Sequence, residues 1–210
     1  MQGSGKNTIA EELRRLHGFA HFDGDLWALG HNPLAPAGSK RVEMPPEFKT
    51  RYDQLSSFLL KFRSSDDVKD EPAAWQPFYR AMCEDVLRAQ KQLAGVKPGL
   101  VVTHAVYLAS MRAFIKQLLG AEAVVLVLQM PAEVAITRVA KRCAEQYVQM
   151  GKSVDEWAGL LRANQAGYQD CTAVEKGKGI VVIPDDSSGV KSVLAKVEQA
   201  LGLTPAVTTD

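Results

Sequence analysis

Four short apolar runs, each set off from the next by segments with helical spacing, constrain this fold more than any other feature of the chain. They span residues 19–22, 99–103, 123–128 and 179–183. The run at 123–128 is unbroken, as suits a strand covered on both faces. Ile9, Leu13 and Leu16 share one face of a helix expected over 7–16. Phe78, Met82, Val86 and Leu93 do the same over 73–94, and Gly120 closes an amphipathic stretch at 108–119. Pro131 opens a helical pattern that continues to about residue 174 with a break near Gly151, and a last helix is expected over 187–201. Alternating strand and helix predict an α/β fold around a parallel sheet, because parallel neighbours need a crossover connection.

The stretch between the first two runs is less regular. Residues 26–46 are rich in Pro, Gly and Ala and read as loop or short turn, as does Asp23-Gly24-Asp25 before them. Phe48, Tyr52, Leu55 and Leu59 give 47–63 helical spacing, and 64–72 reads as an exposed acidic connection. Trp27, Trp75, Phe78 and Tyr79 sit in this segment, and aromatic residues at such spacing belong to a core more often than to a pocket.

A length of 210 residues suits one compact domain, expected over 1–203 with a tail at 204–210. Net charge is +1, so the chain has no overall electrostatic footprint for nucleic acid or an anionic membrane, and the partner expected is a small molecule. The apolar runs are far too short to span a bilayer, and the N-terminus lacks a secretory pattern. Cys83, Cys143 and Cys171 are scattered and odd in number, which predicts free thiols and a reducing, cytoplasmic setting.

The sharpest chemical signal is Gly3-Ser4-Gly5-Lys6-Asn7-Thr8 at the start of a helix. Glycines let backbone N–H groups turn inward around phosphate oxygens, a lysine adds a point charge beside them, and the helix N-terminus adds its dipole. Two features depart from the full phosphate-loop pattern. The pattern has a glycine six residues before the lysine and a buried strand before that, whereas Lys6 has five residues ahead of it. Asn7 stands where Ser or Thr would offer a hydroxyl to Mg²⁺; its amide oxygen is still a hard ligand.

The order of these motifs resembles the gluconate-kinase and shikimate-kinase branch of the P-loop kinases, over nearly the whole chain. The resemblance implies a three-layer P-loop fold with a parallel sheet, ATP and Mg²⁺ as cofactors, and phosphoryl transfer to a small hydroxylated metabolite. In that fold the first strand is central, so the chain is expected to lack it and to leave a gap between runs 99–103 and 123–128 or to pair them directly. Gly3, Ser4, Gly5, Lys6, Asn7 and Thr8 would hold the nucleotide phosphates, with Arg138 on the adenine. Lys6, Asp23 and Arg142 would act in the transfer; Asn7 and Asp23 would hold the metal; Asp25, His104 and Arg112 would meet the acceptor. Residues 26–98 stand for the substrate-side segment and 138–174 for the lid, where Arg138 and Arg142 share a helix face. Two alternatives remain open: a nucleoside monophosphate kinase on the same fold, and a non-catalytic nucleotide-binding relative.

Overall fold

The computed structural model describes residues 3–35, 46, 49–50, 53–58, 70–165, 168–177, 179–184 and 189–204. In chain order these form α1 (Lys6–His17), β1 (Ala20–Asp23), α2 (Gly24–Ala28), α3 (Pro72–Leu93), β2 (Leu100–Thr103), α4 (Ala109–Leu119), β3 (Val125–Gln129), α5 (Ala132–Gln146), a 3₁₀ turn (Val148–Met150), α6 (Val154–Gln165), α7 (Ala173–Gly177), β4 (Ile180–Pro184) and α8 (Val190–Leu201). Residues 53–58 are also helical. The four expected strands are all present, shifted by one or two residues. Residues 49 and 50 of the helix expected over 47–63 are helical too, while Phe48, Tyr52 and Leu59 lie outside the described residues, as do Asp185, Asp186 and the tail from 205.

The strands pair in parallel, two by two. Ala20 stands opposite Leu100 and Asp23 opposite Thr103, while Val125 stands opposite Ile180 and Gln129 opposite Pro184. Among the described residues the two pairs form separate sheets, so β2 and β3 do not hydrogen-bond to each other. An apolar slot of about 430 Å³ opens between them. Leu100–Thr103 of β2 and Val125, Leu126 and Leu128 of β3 line it, whereas no residue of β1 or β4 does. The slot therefore runs along the unpaired edge of each pair.

Side chains alternate across β2 as the pleat requires. Leu100 and Val102 pack with Phe22, Trp75, Phe78, Tyr79 and Met111, against α3 and α4. Val101 faces the other way, with Ile9 and Leu13 of α1 and with Leu128, Ile183, Val193, Leu194 and Val197. The apolar face of α1 thus packs on β1, β2 and α8 and shares one cluster with residues of both strand pairs. Two polar contacts reinforce it: His17 Nε2 lies 2.7 Å from Glu198 Oε1, and His21 bridges Glu11 and Thr103 at 2.8 Å on either ring nitrogen. The four aromatic residues expected in the core from the 26–98 segment are there: Trp27, Trp75, Phe78 and Tyr79 are all buried.

The structure corrects one local expectation. Asp23-Gly24-Asp25 is no open loop; the strand ends at Asp23 and a five-residue helix, α2, starts at once. Asp23 caps it, its Oδ1 accepting from the N–H groups of Asp25 at 2.9 Å and Leu26 at 3.1 Å. Glycine is required at 24, since a Cβ there would lie 2.7 Å from the carbonyl oxygen of Thr103.

Two unpaired strand edges facing one apolar slot dictate a stability gain for a chain that fills it. A variant with five apolar, β-branched residues fused ahead of Met1 should place them between β2 and β3. Each buried side chain stabilises by about 1.5–3 kcal/mol, and each 1 kcal/mol raises the midpoint of a domain this size by about 2–4 °C. Thermal unfolding of both lengths checks this; an unchanged midpoint contradicts it.

Candidate functional site

The glycine loop stands at the carboxyl ends of β1 and β2. Gly3 and Gly5 take left-handed backbone conformations, φ 79° and 77°, which side chains with a Cβ adopt only at a cost. A Cβ on Gly3 would sit 2.6 Å from the Ala135 carbonyl oxygen and 2.7 Å from a Val139 methyl, so α5 backs the loop closely. One on Gly5 would meet nothing within 4 Å. Ser4 between them is buried. Lys6, Asn7 and Thr8 then form the first turn of α1, where backbone N–H groups have no partner within the helix.

Lys6 lies within electrostatic reach of Asp25, Asp23 and Arg142. Burial pulls its ammonium below the usual lysine value; Asp25 and Asp23 pull the other way, and Arg142 adds to the lowering. Asp25 is exposed, with Oδ1 2.9 Å from His104 Nδ1. That contact lacks hydrogen-bond alignment at Nδ1. Burial works against the charged form of Asp25, but His104 and Lys6 outweigh it and hold the carboxyl below its usual range. The His104 ring is fixed by Phe78 and Tyr79, each with its centroid 5.8 Å away. The sequence-predicted residues Lys6, Asn7, Asp23, Asp25 and His104 therefore gather at one place, with Arg142 in electrostatic reach of Lys6.

Asn7 and Asp23, the expected metal ligands, are bonded to each other. Asn7 Nδ2 donates to Asp23 Oδ2 at 2.7 Å. With Oδ1 already accepting two backbone N–H groups, both oxygens of the Asp23 carboxylate are engaged by donors. For a Mg²⁺ ion the pair would then offer the Asn7 amide oxygen, which the bond through Nδ2 does not use, and the remaining lone pair of Asp23 Oδ2.

Arg112 stands apart from this group. Its Nε and Nη2 donate to Glu175 at 2.7 and 3.1 Å, Nη1 donates to the carbonyls of Tyr107 at 3.3 Å and Gln169 at 2.9 Å, and Nη2 reaches the Asp170 carbonyl at 3.3 Å. A guanidinium has five N–H donors, and these five contacts use them. The acceptor contact expected of Arg112 is replaced by a buried clamp that fastens α4 to residues 168–177. Arg138 and Arg142 lie on the exposed face of α5, with Arg138 Nη1 4.0 Å from Met130 Sδ. Residues 138–165, within the segment expected as a lid, form the rest of α5 and then α6, which are joined through Gly151 in a left-handed turn and packed through Ile136, Val139, Ala140, Ala158 and Leu161. Cys83, Cys143 and Cys171 are free thiols, and burial pushes Cys83 up to about 12.

Sequence reasoning missed Glu175, the partner of Arg112. It lies 63 positions away in a five-residue helix and carries no local mark. It also missed His21, whose two ring contacts join α1 to β2. No protein-family model matches the chain, and no curated protein matches it. Among the described residues no helix is long and apolar enough to cross a membrane.

The clamp predicts a stability effect with a defined pH dependence. Burial disfavours the charged Glu175, but Arg112 and Thr172 hold its carboxyl below the usual value. The group therefore contributes stability above its unfolded pKa of about 4.3, and this is lost as pH falls through the lower folded value. Glu175→Gln leaves Arg112 buried without its counter-charge and should cost about 3–5 kcal/mol at neutral pH. Its acid limb below about pH 4 should be flatter than that of the parent. Denaturant melts across pH check both, and an equal stability at neutral pH contradicts the clamp.

Proposed function

We propose that the chain is an ATP-dependent phosphotransferase acting on a hydroxyl of a small metabolite, built on a three-layer P-loop fold whose sheet is open at its centre. The observation that carries this reading is the position of Lys6. It heads α1 beside a loop with two left-handed glycines and lies within reach of two carboxylates and an arginine. The loop N–H groups and Lys6 would take the terminal phosphates, and Arg142 would meet them from α5. Asp25 suits the acceptor better than Asp23. It is exposed and held in its charged form, so it can accept a hydrogen bond from the acceptor hydroxyl and orient it. Asp23, with both oxygens engaged, organises α2 and Asn7 instead. In the transfer the acceptor oxygen forms a bond to the γ-phosphorus, the bridging oxygen leaves with ADP, and the hydroxyl proton passes to Asp25 or water. A reducing, cytoplasmic setting, expected from the three scattered cysteines, would supply ATP as the donor.

One observation favours a second reading, nucleotide binding without transfer. It is Asn7 itself, an amide where a hydroxyl would serve a catalytic cation, with its Nδ2 bonded to Asp23 Oδ2.

Lys6→Ala separates these readings from an unrelated function. Removing one group that stabilises developing charge lowers turnover by about a hundredfold or more. ADP release from ATP, measured with a panel of sugar acids and polyols as acceptors, should fall accordingly in the variant. Unchanged turnover removes the kinase reading. ATP binding that Lys6→Ala abolishes, with no turnover in the parent, leaves the second.

A further inference from the structure

We propose that the acceptor of this chain is an uncharged polyol, and that the residues around Asp25 disfavour any acceptor carrying a carboxylate or phosphate of its own. The inference rests on the phosphotransferase reading and specifies its substrate class. An anionic acceptor needs a cation to replace the water it gives up on binding. Arg112 is the cation expected there from the sequence, and the fold has used it. Glu175 takes Nε and Nη2 at 2.7 and 3.1 Å, and the carbonyls of Tyr107, Gln169 and Asp170 take the rest of the guanidinium. The Arg112 side chain is 3% exposed. Turning it toward an acceptor would strand Glu175, itself buried, without its counter-charge.

Among the described residues, the other cations that bear on this place are Lys6, Arg142 and His104. Lys6 and Arg142 stand on the phosphate side, where the terminal phosphates of ATP would take them. A proton on His104 would be balanced by Asp25, whose Oδ1 lies 2.9 Å from Nδ1. Phe78 and Tyr79, which flank the His104 ring, are buried and carry no charge. The group left facing outward is the Asp25 carboxylate, with 56% of its side chain exposed. A carboxylate accepts from several hydroxyls at once and repels a second carboxylate or a phosphate brought beside it. A polyol meets here a hydrogen-bond acceptor, while a sugar acid or a nucleotide acceptor meets a like charge with no described cation to offset it.

The test is ATP-dependent ADP release by the full chain with matched pairs of acceptors: glycerol and glycerate, ribitol and ribonate, sorbitol and gluconate. The members of a pair differ only in whether one end carbon is a primary alcohol or a carboxylate. Placing like charges side by side costs about tenfold or more in affinity. In each pair that turns over, kcat/KM should therefore be about tenfold or more higher for the polyol. Asp25→Asn removes the like charge and should bring the two members within about threefold of each other, through a larger loss on the polyol. The ratio within a pair does not depend on the folded fraction of the variant, so a partly destabilised preparation still reads it. A parent that prefers the acid in any pair, or treats both members alike, overturns the proposal. So does an Asp25→Asn variant that keeps the full discrimination of the parent, since Asp25 would then not be its source. Absence of ADP release with every acceptor overturns the transfer reading itself, a failure distinct from the other two.

Discussion

The apolar face of α1 is what makes one structure out of two pairs of strands. β1–β2 and β3–β4 share no hydrogen bonds among the described residues, and an apolar slot separates their facing edges. Ile9 and Leu13 share one apolar cluster with Val101 from one pair, Leu128 and Ile183 from the other, and Val193, Leu194 and Val197 of α8, which packs on both α1 and β4. A buried leucine stabilises by about 1.5–3 kcal/mol, and a whole domain of this kind by only about 5–15 kcal/mol. A few side chains on one helix therefore carry a large share of the link between halves. His17–Glu198 and the Glu11–His21–Thr103 chain add directional contacts to the same helix. Because α1 also begins with Lys6, the clasp of the fold and the charge centre of the site are one element.

This coupling explains how the site is ordered. Asp23 ends β1, caps α2 and accepts from Asn7, so one carboxylate fixes a strand end, a helix start and the first turn of α1. Asp25 is thereby carried to the front of α2, facing His104 at the end of β2. The β1–β2 register, Asp23 opposite Thr103, is what brings the next residues of both strands together. The aromatic cluster of α3 then holds the His104 ring through Phe78 and Tyr79. Core packing and site geometry are set by the same residues.

Much of this was legible in the sequence, for physical reasons that can be named. The strands at 100–103 and 125–129 announce themselves because unbroken apolar runs have few other uses in a chain of this charge. Lys6 was legible because glycines before a helix serve a backbone geometry that most residues resist. The burial of Trp27, Trp75, Phe78 and Tyr79 followed from helical spacing. What escaped was pairing at a distance. Glu175 is an ordinary acidic residue until Arg112, 63 positions away, needs a counter-charge. Asn7 reads as a ligand by position, but its amide found Asp23 across 16 residues. α2 escaped because Asp-Gly-Asp has turn composition, and only the cap formed by Asp23 shows that a helix starts there.

The central claim is that the glycine loop and the first turn of α1 receive phosphate. Amide chemical shifts of the ¹⁵N-labelled chain during an ATP titration test it most directly, because the groups in question are backbone N–H groups. The account predicts the largest shifts at Gly3, Gly5, Lys6 and Asn7, saturating together, and their loss in Lys6→Ala. Shifts confined to other parts of the chain, or the same pattern with Lys6 replaced, would contradict it.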